Sequence, residues 1–182
     1  PFFLINWSEQ FIQSNTTALL LSVAPIFTLI LAPFLTKDDH FSLLKFISII
    51  IGLVGVFFII GFDSISNLND SESNLIPKFA VIIAAMGYVV SSILAYNLKN
   101  IDTMTLTTLV ITAAAIFSIP FMIYAEIDYP SSFNGTSLLT IIYLGLFPTA
   151  IAFQLRFHII SKAGPIFLSY VAYLIPAFGI LW

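Results

Sequence analysis

LLKFISIIIGLVGVFFIIGF, residues 43–62, holds a single charge, Lys45, and that charge lies close to one end. An α-helix of about 20 residues rises ~30 Å at 1.5 Å per residue, the thickness of the hydrocarbon core of a bilayer. In water such a helix has no polar face to turn outward. In lipid it needs none, because every backbone group is bonded within the helix. The segment predicts a membrane-spanning helix, and its neighbours extend the pattern. Apolar runs of similar length cover residues 15–35, 76–98, 104–124 and 137–160. A further run begins at Pro165 and reaches Trp182, and Pro1 to Ile5 reads as the tail of another. The chain is therefore expected to be a section of a longer protein, truncated at both ends.

Composition agrees. Of 182 residues, 59% are hydrophobic and 8% charged, against roughly 25% charged in a soluble domain; the mean hydropathy is +1.06. A soluble all-helical protein would need charged amphipathic helices around its core, and none is present. Barrel strands would alternate with a period of two over ~10 residues, whereas these runs are longer and uniformly apolar. The expected fold class is all-α, a polytopic transmembrane helix bundle whose main partner is the lipid bilayer.

Several functions are excluded by what is missing. Nine acidic and six basic residues give a net charge of −3, which leaves no footprint for nucleic acid. Without cysteine there are no disulfides and no cysteine metal sites. There is no glycine-rich phosphate loop to couple a nucleotide. Intramembrane proteolysis would need a serine–histidine pair, paired aspartates within spans or a His-Glu-x-x-His zinc site, and there is no G-x-S-x-G serine. The two histidines, His40 and His158, lie near one face, and no aspartate lies mid-span. Gly87-Tyr88 stands in AAMGYVV, an ordinary helical run and not a potassium filter. These readings predict a non-enzyme without metal or cofactor. A carrier of a small-molecule substrate is the leading function, and a structural or enzymatic membrane protein without transport activity is the alternative.

Connections alternate sides. One side collects Lys37, Lys45, Lys99, Arg156 and Lys162, while the other holds Lys78. The positive-inside rule puts the short links, around 36–40, 99–102 and 161–164, in the cytoplasm. Asp63, Asp70, Glu72, Glu126 and Asp128 fall outside.

An internal repeat is visible at a shift of 151: Phe2 meets Phe153, Leu4 meets Leu155, Pro25 meets Pro176 and Phe27 meets Phe178. The two proline spans are five crossings apart, so they run in opposite directions, as in the inverted repeats of many transporters. The stretch TALLLSVAP, residues 17–25, with Phe27 to Ala32 and the pair Gly52 and Gly55, resembles the EamA-like branch of the drug/metabolite transporter superfamily. So do Phe147-Pro148 through Phe153, Ala163-Gly164-Pro165 and Leu174-Ile175-Pro176. That resemblance implies ten spans in two inverted five-helix repeats. It assigns residues 1–62 to the end of the first repeat, 63–75 to an outer loop and 76–182 to an incomplete second repeat. It also implies a multi-pass protein of the cell membrane, bacterial inner membrane above all, that exports or takes up small metabolites such as amino acids. A homodimer stays open. Asp38-Asp39-His40 replaces the acid-then-base pair of the family's first cytoplasmic turn, and Phe153, beside Gln154, replaces a frequent Tyr. The resemblance therefore reaches the superfamily and not a substrate.

Polar groups among apolar spans mark either a cavity or contacts between helices. Tyr88, Ser91, Ser92 and Ala95 follow i, i+3, i+4, i+7 spacing on one helical face. Gln154, His158 and Ser161 share another, with Arg156 roughly opposite and placed to snorkel. His158 is either interfacial or a proton-coupling group. Ser169, Tyr170 and Tyr173 point to one side ahead of Pro176. Asn6, Trp7, Glu9 and Gln10 read as an interfacial belt or a gate. The substrate-path candidates are thus Tyr88, Ser91, Ser92, Gln154, His158, Tyr170 and Tyr173. Pro25, Pro148 and Pro176, with Pro33 and Pro120, are expected to bend their helices by freeing the carbonyl four residues earlier.

Overall fold

The computed structural model describes residues 1–36, 42–60, 75–128 and 135–181, and every regular element among them is helical. In order these are α1 (Phe2–Ser8), α2 (Ser14–Leu21), α3 (Ala24–Leu35), α4 (Leu43–Ile60), α5 (Leu75–Asn97), α6 (Thr103–Asp128) and α7 (Gly135–Leu144). A π-helical turn, Gly145–Ile151, leads from α7 into α8 (Ala152–Ser169), and α9 (Val171–Leu181) follows. The stretches Ser14–Leu35, Leu75–Asn97, Thr103–Tyr124 and Gly135–Ser169 are long and apolar enough to cross a membrane. The described part of α4 has 18 residues, about 27 Å of helix. Residues 61–62 of its expected span, the outer loop at 63–74 and Lys37 to His40 lie outside the described residues.

One expected span carries an interruption that hydropathy does not report, and one expected link is shorter than predicted. The span 15–35 is broken at Ser22 and Val23, so Pro25 stands at the start of α3, where its missing N–H is harmless. It ends one helix and opens the next. At the other break, Gly164 has φ 87 and ψ 168 inside α8. The chain there leaves the helix just before Pro165, which itself disfavours helical backbone in the residue preceding it. The predicted link at 161–164 is a one-residue break.

Two compact units share the chain. The first combines Pro1–Asn97 with Ala163–Trp182; the second is Leu98–Lys162. In the first, α5 packs on α1, α2 and α3, while α9 packs on α4 and α2. The buried side of α5 runs through Ala80, Val81, Ala84, Ala85, Val89, Ser92, Ile93 and Ala95. This three-to-four-residue stripe is mostly of small side chains, which let neighbouring backbones approach. Leu29, Ala32, Ile49, Val89, Ile93 and Ile166 form the core, with Leu53, Tyr170 and Tyr173 against it.

In the second unit, Asp102 caps α6. Its Oδ2 accepts from the backbone N–H of Met104 at 3.0 Å and of Thr105 at 3.1 Å, filling two of the donors a helix start leaves open. Farther along, α6 exposes Phe117 at 76% and Phe121 at 74%, and α7 buries none of its residues. Apolar surface this continuous is incompatible with water and ordinary in lipid.

Candidate functional site

In the first unit, two of the polar candidates, Tyr170 and Tyr173, sit beside the break that opens α9, and Tyr173 meets α4. Tyr173, half-buried on α9, donates its hydroxyl to the backbone carbonyl of Ile49 at 3.1 Å. Its ring lies so close over Gly52 that a Cβ there would collide with it. Ile49 and Gly52 are three residues apart, hence neighbours on one face of α4. Tyr170, at the interruption between α8 and α9, stacks with Tyr173 at a centroid separation of 6.4 Å and an interplanar angle of 21°. Phe167 meets Tyr170 edge-on, also at 6.4 Å. Pro176 is buried within α9, one turn beyond Tyr173.

Tyr88, Ser91 and Ser92 lie on α5. The Tyr88 ring meets Phe2 of α1 edge-on at 5.9 Å. Ser92 is buried and gives its hydroxyl to the carbonyl of Tyr88 at 2.8 Å. Ser91 is half-buried. At the end of the same helix, Asn97 Nδ2 donates to the carbonyl of Leu35 at 3.0 Å, tying the ends of α5 and α3 together. Trp7 of α1 packs on Phe11 beyond the helix end at 5.2 Å, while Asn6, Glu9 and Gln10 are exposed.

Gln154 and His158 belong to the second unit. The amide of Gln154 bridges to α6: Oε1 accepts from Thr107 Oγ1 at 2.7 Å, and Nε2 donates to Thr103 Oγ1 at 3.2 Å. The two threonines are one turn apart, so a single amide clamps one face of α6. His158 is exposed, and its carbonyl accepts the Ser161 hydroxyl at 2.9 Å. The Arg156 guanidinium lies over Phe153 and Phe157, at 5.5 and 5.9 Å from the ring centroids, within cation–π range. Pro148 falls inside the π-helical turn. The carbonyl it would leave free in an α-helix, that of Leu144, accepts the Thr149 hydroxyl at 2.9 Å.

Thr103, Thr107, Thr149 and the Ile49 carbonyl escaped the sequence reading. Thr103 and Thr107 carry a signal that could have found them, since they repeat at i, i+4 opposite a span holding one glutamine. Among the described residues no three His, Cys, Asp or Glu side chains gather to hold a metal ion.

The sequence model of the EamA-like transporter family matches residues 78–182. The chain belongs to the EamA-like transporter family. Two curated relatives from Bacillus subtilis (strain 168) are similar to it. Uncharacterized transporter YoaV is 21% identical over 160 residues, covering 87% of this chain and 53% of that protein. Uncharacterized transporter YdfC is 26% identical over 183 aligned residues, covering 98% and 56%. The chain thus spans about half the length of the curated relatives it matches. No solved structure matches it. Family membership and the long apolar helices together make this a multi-pass membrane protein, and the EamA-like family match runs through α8 and α9 as well as α5 to α7.

Proposed function

We propose that the intact protein is a secondary carrier that moves a small metabolite, an amino acid or related solute, across the bacterial inner membrane. Its membership of a transporter family is the observation that carries this reading. A pair of broken helices supports it. Under the 151-residue shift, Gln13 falls on Gly164 and Ser14 on Pro165. Both Gln13 and Gly164 have extended ψ, 147 and 168, and each precedes a helical run. Each run breaks beside a serine whose hydroxyl is given to the carbonyl three residues back, Ser22 to Leu19 and Ser169 to Ile166, at 2.6 Å in both. Each then resumes with a proline helix, α3 or α9. Inverted repeats with broken helices near a central site are a recurrent carrier design.

On this reading 1–62 closes the first repeat, 76–182 is the incomplete second, and the short links face the cytoplasm. Tyr88, Ser91, Ser92, Gln154, His158, Tyr170 and Tyr173 line the solute path. Full-length protein in liposomes, preloaded with unlabelled amino acids and offered radiolabelled ones, should accumulate at least one of them above protein-free vesicles. Ser92 is buried and small, so leucine there would overpack, and Ser92→Ala is the cleaner probe. It should keep abundance while lowering that flux. Flux equal to wild type in the Ser92, Gln154 and Tyr173 variants alike would remove these residues from the path.

A further inference from the structure

We propose that Tyr173, seated over Gly52 and bonded to the Ile49 carbonyl, is a releasable latch between α4 and α9. The contact joins a helix from before the outer loop to one from the far end of the chain, and it combines two unlike features. Gly52 supplies a flat seat, since any Cβ would occupy the space of the ring. The tyrosine hydroxyl bonds a main-chain carbonyl at 3.1 Å. In a helix that carbonyl also serves the N–H four residues on, here that of Leu53. Losing the tyrosine therefore leaves no orphaned acceptor on α4, and only the released Tyr173 hydroxyl needs a new partner, which water entering the gap would supply.

The carrier of the ring is built to move. α9 is short, and it is separated from α8 by the interruption at Tyr170. The Pro176 ring removes the helix bond to the Ala172 carbonyl one turn beyond Tyr173. Two weak points therefore bracket the latch residue, and hinges form where few main-chain bonds resist a change of φ and ψ. Depth matters as well. Gly52 lies nine residues from Leu43. It is about 13 Å along α4, close to the middle of a ~30 Å core, and Tyr173 is at the same depth because its ring contacts Gly52. Parting α9 from α4 there would open a gap at mid-membrane.

The purpose of the latch rests on the carrier reading, but its test does not need a substrate. Ile49→Cys and, separately, Leu53→Cys would be made in the full-length protein in membranes, with any cysteine outside these 182 residues first replaced by serine, and with and without Tyr173→Phe. Labelling by methanethiosulfonate ethylammonium requires water and a thiolate, so it reports opening. Loss of one interhelical hydroxyl bond should raise the labelling rate about threefold at both sites. Val81→Cys, buried on α5, should remain unlabelled in either background. No acceleration at Ile49→Cys and Leu53→Cys would make the contact a static one and overturn the latch, and so would an equal acceleration at Val81→Cys, which signals general loosening. A protein that labels as expected but moves no solute would refute the carrier reading and keep the latch.

Discussion

Gly164→Ala should lower the melting temperature of the full-length protein more than any exposed-loop replacement, and Gly164→Asn should not rescue it. At φ 87 and ψ 168 the residue occupies a region that glycine alone enters freely. Asparagine tolerates the left-handed helical region near ψ 47, which is a different place, so its side chain brings no relief. A non-glycine residue held at these angles costs on the order of 1–3 kcal/mol. The next residue is Pro165, which blocks the obvious escape into helical backbone. Melting followed by size-exclusion chromatography of detergent-solubilised protein would measure the effect. An alanine variant that melts with the wild type would show that the break is not fixed as described.

Gly52→Val should abolish accumulation of folded protein, and Gly52→Ala should destabilise it by about 1–3 kcal/mol, the usual range for overpacking. The first added carbon meets the Tyr173 ring, which cannot swing aside without surrendering its bond to Ile49. Gly55→Ala provides the control. A Cβ at Gly55 meets nothing within 4 Å, and alanine is the better helix former by about 1 kcal/mol, so this variant should be neutral or stabilising. If the steric account holds, Gly52→Ala should do less harm in a Tyr173→Ala background than alone, the coupling expected of residues in contact. Equal effects of Gly52→Ala and Gly55→Ala on the melting temperature would refute it.

The fold was legible from hydropathy because lipid imposes a simple rule: a stretch that buries no charge for ~30 Å must be a helix. What hydropathy missed were the interruptions. Ser22, Val23 and Tyr170 are as compatible with a continuous apolar run as their neighbours, and only the backbone shows the breaks. The candidate site was harder to read, and the hydroxyls explain why. Ser8, Thr28, Ser48 and Ser92 each give their proton to the carbonyl four residues back in their own helix. A Ser or Thr satisfied in this way needs neither a cavity nor a partner helix, so polarity alone does not locate a path. Gln154 differs because its amide is too long for that local bond and reaches across to Thr103 and Thr107. Tyr173 likewise could not be paired with Gly52 by sequence spacing, since the contact joins residues far apart in the chain. The glycine pair at 52 and 55 was recognisable as a packing feature, but its two members turn out to be unequal.

The central claim, a chain threaded back and forth through a membrane with its short links in the cytoplasm, is tested most directly by sidedness. Single cysteines at Ser66, Ser132 and Ser161 in the full-length protein would be exposed in intact cells to a membrane-impermeant maleimide. Ser66→Cys and Ser132→Cys should be labelled from outside, and Ser161→Cys only after the membrane is permeabilised. Labelling of Ser161→Cys in intact cells, with protection of the other two, would contradict the account.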